Sequence, residues 1–264
     1  MGFDTMIWPA GLVASGAVVG FLVGMTGVGA GSLTTPLLIS VFNVPAPIAV
    51  GTDLLFAAIT KSTAAWRYQK HRNIDWHVLA WLAAGSIPGA VATLMWLKWA
   101  HPDMAVLTAL IRTSLGIILI ASAVANAAYP WLMRSRGYES EAPPPIARRR
   151  LTLVLGLAIG VLVVLTSVGA GAIGVAALMM LYPTLAVRRL IGTDVVHAIP
   201  LTFVAGFGHL ALGSIDLRVL GLLLAGSIPG IAAGARVTGR APDWLVRSAL
   251  AIVLLMAAVL LLKK

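Results

Sequence analysis

GMTGVGAGSLTTP at residues 24–36 and VLTSVGAGAIGVA at residues 164–176 are two versions of one glycine-rich phrase in this chain. The repetition extends further, because GTD recurs at residues 51–53 and 192–194 and GSIPG at residues 85–89 and 226–230. The copies keep the same order at a spacing of about 140 residues. The chain is therefore predicted to be an internal duplication, with a first repeat at 1–130, a linker at 131–150 and a second repeat at 151–264.

The composition places the protein in a membrane. Of its 264 residues, 59% are hydrophobic and 11% are charged, and the mean hydropathy is +0.97, which leaves too little polar surface for a water-soluble globule. Several apolar runs reach the roughly 20 residues needed to cross a hydrocarbon core, so we predict an all-α polytopic membrane protein. The clear spans are 46–66, 77–97, 104–129, 187–207, 217–236 and 245–262.

Each repeat begins with an apolar segment that is too long for one membrane span and short for two. These segments cover residues 6–43 and 151–183, and glycines stand in the middle of both. We expect each to be a helical hairpin with a short return arm, broken at Thr26–Ser32 and at Thr166–Ala172. Each repeat is thus predicted to be a glycine-broken helical hairpin plus three transmembrane helices.

The basic residues cluster in loops, and this determines the predicted orientation. Cytoplasmic loops of membrane proteins are enriched in Lys and Arg, and equivalent loops of the two repeats carry opposite charge character. The repeats are therefore expected to be inverted, with the linker in the cytoplasm. The same distribution argues against a nucleic-acid partner despite a formal net charge of +10. The basic loops contain Arg67, Lys70 and Arg72; Arg134, Arg136, Arg148, Arg149 and Arg150; Arg188 and Arg189; and Arg236, Arg240 and Arg247.

The two glycine breaks are the strongest candidates for a binding site. Backbone that leaves helical geometry inside a membrane exposes amide N–H groups, which need a protein or polar partner. Glycine lets the backbone approach a ligand closely, and the helix that follows each break adds partial positive charge at its N-terminus. A small anion would satisfy these groups; the alternative is that small residues only permit close helix packing. The candidate substrate-binding residues are Thr26, Gly27, Val28, Gly29, Ala30, Gly31, Ser32, Thr166, Ser167, Val168, Gly169, Ala170 and Gly171.

Ionisable residues within predicted spans form a second group of candidates, because burying a charge in a membrane is costly. Asp53 and Asp194 occupy equivalent positions in the GTD motifs, and His197 follows Asp194 by three residues on the same helical face. Lys61 lies two turns after Asp53. We interpret these residues as a coupling or gating group. In the alternative, the aspartates lie near the interface and Lys61 extends to the cytoplasmic surface.

Other polar residues have structural interpretations. Asp75 and Asp216 precede spans and are predicted to cap helices, and His209 is interpreted as a packing or interfacial residue. The GSIPG motifs are predicted to kink a helix and to permit close packing. The sequence contains no cysteine, metal-ligand spacing, nucleotide-binding loop or nucleophile elbow, so we predict neither a metal, nor a cofactor, nor enzymatic activity.

Taken together, GMTGVGAGSLTTPLL at 24–38, the GTD motifs, and LAAGSIPGA at 82–90 with its match LLAGSIPGI at 223–231 resemble the sulfite exporter TauE/SafE family of four-plus-four membrane permeases. The resemblance covers residues 10–262. It implies a multi-pass secondary transporter of the cell inner membrane that exports sulfite, sulfoacetate or a related organosulfonate, with no prosthetic group. The second repeat departs from the first at Ser167 for Gly27 and at Gly174–Ala177 for Thr34–Leu37, so the two breaks need not share one chemistry.

We expect transport by alternating access, with a small anionic substrate and the lipid bilayer as partners. Two alternatives remain from the sequence. One is an uptake carrier for thiosulfate or another anion, and the other is a membrane scaffold subunit that transports nothing. The substrate, the direction of transport, ion coupling and homo-oligomer formation stay open at this point.

Overall fold

A computed structural model describes residues 4–26, 31–70, 74–134, 146–237 and 243–262, and all regular secondary structure in these ranges is α-helical. Six of the described helices are long and apolar enough to cross a membrane, which confirms the polytopic fold class. The helices are α1 Asp4–Thr26, α2 Gly31–Ser40, α3 Ala46–Lys70, α4 Trp76–Ala100, α5 Met104–Arg134, α6 Ile146–Thr166, α7 Ala172–Leu181, α8 Val187–Ala211, α9 Leu217–Val237 and α10 Asp243–Leu262.

Both over-long segments divide into a long helix and a short one, as the sequence predicts. The long helices α1 and α6 end at Thr26 and Thr166, and the short helices α2 and α7 have 10 residues each. A helix of that length extends only about 15 Å, half of a hydrocarbon core. The first break, Gly27–Ala30, lies outside the described residues, as does most of the linker at 135–145.

The second break adopts backbone conformations that explain its glycines. Gly169 and Gly171 have φ values of 143° and 130°, which side chains with a Cβ rarely adopt, and Ser167 is left-handed with a φ of 59°. The helix α7 begins directly after Gly171. The VGAG phrase therefore forms a tight break between two helices.

Small residues set the closest helix contacts. On α1, Gly16, Gly20 and Gly24 face the α9 backbone at Leu223, Ser227 and Ile231. In the equivalent pair, α4 and α6, a Cβ at Gly85 of α4 would overlap the backbone of α6. The packing interpretation of GSIPG is confirmed, since this motif supplies glycines to both pairs. Each pair joins a helix of one repeat to a helix of the other, so the two repeats interlock.

The central helices α3 and α8 run in opposite directions. Gly51, near the start of α3, lies against His209 and Ser214 at the end of α8, and Leu55 lies against Gly206. Each GTD motif lies near the start of its helix. Because α3 and α8 are antiparallel, the two motifs lie toward opposite ends of the contact between these helices.

Equivalent hydrogen bonds join the two repeats on either side of this crossing. The Asp75 N–H donates to Thr193 Oγ1 at 2.8 Å, and the Asp216 N–H donates to Thr52 Oγ1 at 3.0 Å. Each aspartate also caps the following helix, because its Oδ1 accepts from the amides two and three residues ahead. The predicted capping is confirmed.

The packing of α9 against α1 generates a stability prediction. A Cβ at Gly226 would overlap the Val13 carbonyl oxygen, whereas a Cβ at Gly221 on the same helix meets nothing within 4 Å. We expect Gly226→Ala to cost about 1–3 kcal/mol by overpacking and to lower the unfolding temperature in detergent by several degrees. Gly221→Ala is the matched control and should leave it unchanged or raise it. Equal unfolding temperatures for the two variants would contradict the close approach of α1 and α9.

Candidate functional site

The second glycine break begins at a buried carboxylate from the other repeat. Ser167 Oγ donates to Asp53 Oδ2 at 2.8 Å, and Thr35 Oγ1, on the short helix α2, donates to the same oxygen at 2.6 Å. The Asp53 side chain is fully buried. One carboxylate oxygen therefore joins the short helix of the first repeat to the break of the second.

The same break ends at the equivalent carboxylate. Asp194 is 1% exposed, the backbone amide of Gly171 lies close to it, and a Cβ at Gly174 would overlap its Oδ1. Neither of its carboxylate oxygens accepts a hydrogen bond from a side chain among the described residues. The residues Ser167 to Gly171 therefore run from one buried aspartate to the other.

The two aspartates differ because the residues around them differ. Gly174 and Val175 stand in the second repeat where Thr34 and Thr35 stand in the first. The second repeat thus lacks the hydroxyl that holds Asp53. This departure from exact repetition in the sequence becomes a difference in hydrogen bonding, because Asp53 accepts from two side-chain hydroxyls and Asp194 accepts from none among the described residues.

A buried lysine interacts with both carboxylates. Lys61 is 5% exposed and interacts electrostatically with both Asp53 and Asp194. Its burial contradicts the alternative in which its side chain extends to the cytoplasmic surface. With both aspartates ionised, this group carries one surplus negative charge. A further anion is repelled there unless a proton accompanies it.

His197 is fully buried, but its partner differs from the one that the helical spacing indicates. The His197 ring shares a hydrogen bond of 2.7 Å between Nε2 and Ser86 Oγ, while its Nδ1 has no partner within the described ranges. Ser86 belongs to the GSIPG motif of the first repeat. His197 therefore links α8 to α4 and makes no hydrogen bond to Asp194 in this structure.

Among the remaining predicted site residues, the side chain of Thr166 is described and most of the first break is not. The Thr166 hydroxyl donates to Leu162 O and Val168 O, at 2.7 and 2.9 Å, so it is engaged within its own break. For the first break, Gly27, Val28, Gly29 and Ala30, with the side chains of Thr26 and Ser32, lie outside the described residues. That a small anion binds at the glycine breaks stays a prediction.

Sequence reasoning missed three residues that shape this site. Thr35 and Ser86 bond Asp53 and His197, and His209 Nε2 donates to Val164 O at 3.0 Å, three residues before the break. Thr35 was detectable as part of a hydroxyl pair in an apolar helix. Ser86 was not, because a serine in a small-residue motif is as easily explained by packing.

Comparisons with known proteins support a transport role. The sulfite exporter TauE/SafE family matches residues 12–261. The chain is 34% identical over 230 residues to a "Probable membrane transporter protein YjnA" of Bacillus subtilis (strain 168), which covers 87% of this chain and 90% of the relative. It is 25% identical over 245 residues to a "Probable membrane transporter protein YdhB" of the same organism, covering 93% and 96%. No solved structure matches the chain.

The hydroxyl donors to Asp53 can be tested by substitution. Thr35→Val keeps the shape of the side chain and removes one donor to a buried carboxylate, so it should cost about 1–3 kcal/mol of stability. Thr35→Ser restores the hydroxyl and should recover most of the loss. Thermal unfolding in detergent measures both variants. An unfolding temperature for Thr35→Val equal to that of the wild type would contradict the bond.

Proposed function

The chain belongs to the sulfite exporter TauE/SafE family and is a membrane transporter, and we propose that it is a secondary carrier of the cell inner membrane that exports a small sulfur-containing oxyanion such as sulfite, sulfoacetate or a related organosulfonate. The observation that carries this proposal is the buried break from Ser167 to Gly171, which runs between two carboxylates of different repeats. Nonhelical backbone at such a position is tolerated where it lines a substrate path.

The proposed mechanism is alternating access by two inverted repeats. The opposite directions of α3 and α8 and the duplicated threonine–aspartate bonds support this arrangement. A rocking motion of one repeat against the other would alter the hydrogen bond between Ser167 and Asp53, because its two ends belong to different repeats. The hydrogen bond between Ser167 and Asp53 would form in one state of the transport cycle and break in the other.

The charges of the site support proton participation. Export of an anion from a negative interior is favourable by about 2.3 kcal/mol per charge per 100 mV, so the membrane potential alone can drive it. The surplus negative charge of Asp53, Lys61 and Asp194 nevertheless opposes an incoming anion. Protonation of Asp194 would remove this repulsion, and no side-chain hydroxyl among the described residues donates to Asp194 to stabilise its ionised form. Asp53 instead holds two hydroxyl groups in place.

Counterflow in proteoliposomes tests the transport proposal. Vesicles preloaded with unlabelled sulfite, sulfoacetate, thiosulfate or sulfate should accumulate the labelled anion that the protein carries, and sulfite or an organosulfonate should be the best. Gly169→Val forbids the φ of 143° and should reduce counterflow at least about tenfold by misplacing the break. Gly221→Ala is the control with normal flux. If the wild-type protein shows no counterflow of any of the four anions, the scaffold alternative is favoured. If thiosulfate gives the greatest counterflow, the thiosulfate alternative is favoured.

The two aspartates should respond differently to neutralisation. Asp194→Asn is expected to keep counterflow but to lose its stimulation by an imposed pH gradient, because the exchangeable proton is gone. Asp53→Asn removes the acceptor charge for Thr35 and Ser167 and should reduce counterflow under all conditions. Flux measured with and without a pH gradient distinguishes them. Undiminished pH stimulation in Asp194→Asn would exclude Asp194 as the coupling residue.

A further inference from the structure

A cavity of about 450 Å³ lies between the two repeats, at the end where α4 and α8 finish and α5 begins. The first repeat supplies Pro47, Leu97 and Met104 to its wall, and the second supplies Val164 and Leu212. Loop charges predict that this end faces outside the cytoplasm. A cavity between two repeats at one membrane face is where a rocking carrier would open.

The polar lining of this cavity is basic. Lys98, His101, His209 and Ser214 contribute to it, and no acidic side chain belongs to its lining residues. Lys98 and His101 are exposed and within three residues of each other at the end of α4. The start of α5 at Met104 adds the partial positive charge of a helix N-terminus. Asp103, exposed between the lining residues Pro102 and Met104, offsets part of this charge at the rim, while Lys98 in the lining itself attracts a small anion.

The inner wall of the cavity approaches the glycine break. His209 is 3% exposed, and its Nε2 bonds the carbonyl oxygen of Val164 at 3.0 Å. Because a carbonyl oxygen only accepts, Nε2 must carry the proton, and a neutral ring then presents Nδ1 as an acceptor. Nδ1 has no partner. Val164 and Leu165, which line the cavity, precede Ser167 by three and two residues.

We propose that this cavity is a second anion-binding site, a vestibule that holds the transported oxyanion at the outer face. Lys98 and His101 attract the anion from water, and the wall formed by Val164, Leu165 and His209 holds it beside the glycine break. This inference rests on the proposed function of anion transport. The anionic headgroup of a lipid such as phosphatidylglycerol is a second source of an anion, whereas the phosphate of phosphatidylcholine is balanced by its own choline.

The experiment compares saturation from the two faces. Right-side-out and inside-out membrane vesicles containing Lys98→Gln/His101→Asn protein are assayed for sulfite counterflow. Asn is chosen because His101 has a left-handed φ of 40°, which Asn tolerates. The half-saturating sulfite concentration at the outer face should rise about threefold or more, while the inner-face value stays within about twofold. The increase should shrink at high salt.

Arg218→Gln is the matched control, since Arg218 is exposed at the start of α9 and does not line the cavity. It should leave both values unchanged. An unchanged outer-face value in the double variant, or an equal rise from both faces or in the control, overturns the vestibule while wild-type flux still supports the carrier. Absence of both sulfite and sulfoacetate flux in the wild type counts against the proposed function itself.

Proteoliposomes of different lipids separate the two anion sources. If the free oxyanion occupies the vestibule, the double variant should raise the half-saturating concentration in phosphatidylcholine vesicles as it does with phosphatidylglycerol present. A rise that requires phosphatidylglycerol would assign the cavity to a lipid headgroup and overturn the vestibule.

Discussion

The close approach of α1 to α9 and of α4 to α6 is the contact on which the rest of this structure depends. Both pairs join helices of different repeats, and glycines let the backbones meet where a Cβ would overlap a carbonyl oxygen. Lipid supplies no hydrophobic force between helices, so association relies on such van der Waals contact and on interhelical hydrogen bonds. Because each repeat packs its first helix against the other repeat, the polar groups of both halves meet at one centre.

At this centre the two repeats contribute equivalent residues that make different hydrogen bonds. Asp53 and Asp194 are equivalent residues, yet Asp53 accepts from hydroxyls of both repeats, and Asp194 accepts from no hydroxyl in the described part of the chain. Lys61 interacts with both from a single repeat. This difference suits the proposed transport cycle, in which Asp53 holds the backbone of the break and Asp194 exchanges a proton. The basic cavity near His209 would extend this path toward one membrane face.

Much of the fold could be predicted from local patterns. Apolar length revealed the spans, glycines within over-long segments located the breaks, and an aspartate before a span identified a cap. The partner of His197 could not be predicted in this way. Helical spacing placed Asp194 on its face, but Ser86 of a distant helix takes its Nε2. Lys61 was equally ambiguous, since a lysine near a predicted span end can extend outward or turn inward, and only the surrounding packing decides.

By itself the sequence determined that the chain is duplicated, crosses a membrane repeatedly and breaks its helices at VGAG, because periodicity, apolar length and the conformational freedom of glycine are local properties. The tertiary structure alone decided which polar groups meet. Ser167 and Asp53 are 114 residues apart, and their bond exists because interlocked helices bring one repeat's break to the other repeat's carboxylate. In a membrane interior such groups must find partners within the protein, so the packing of whole helices selects them.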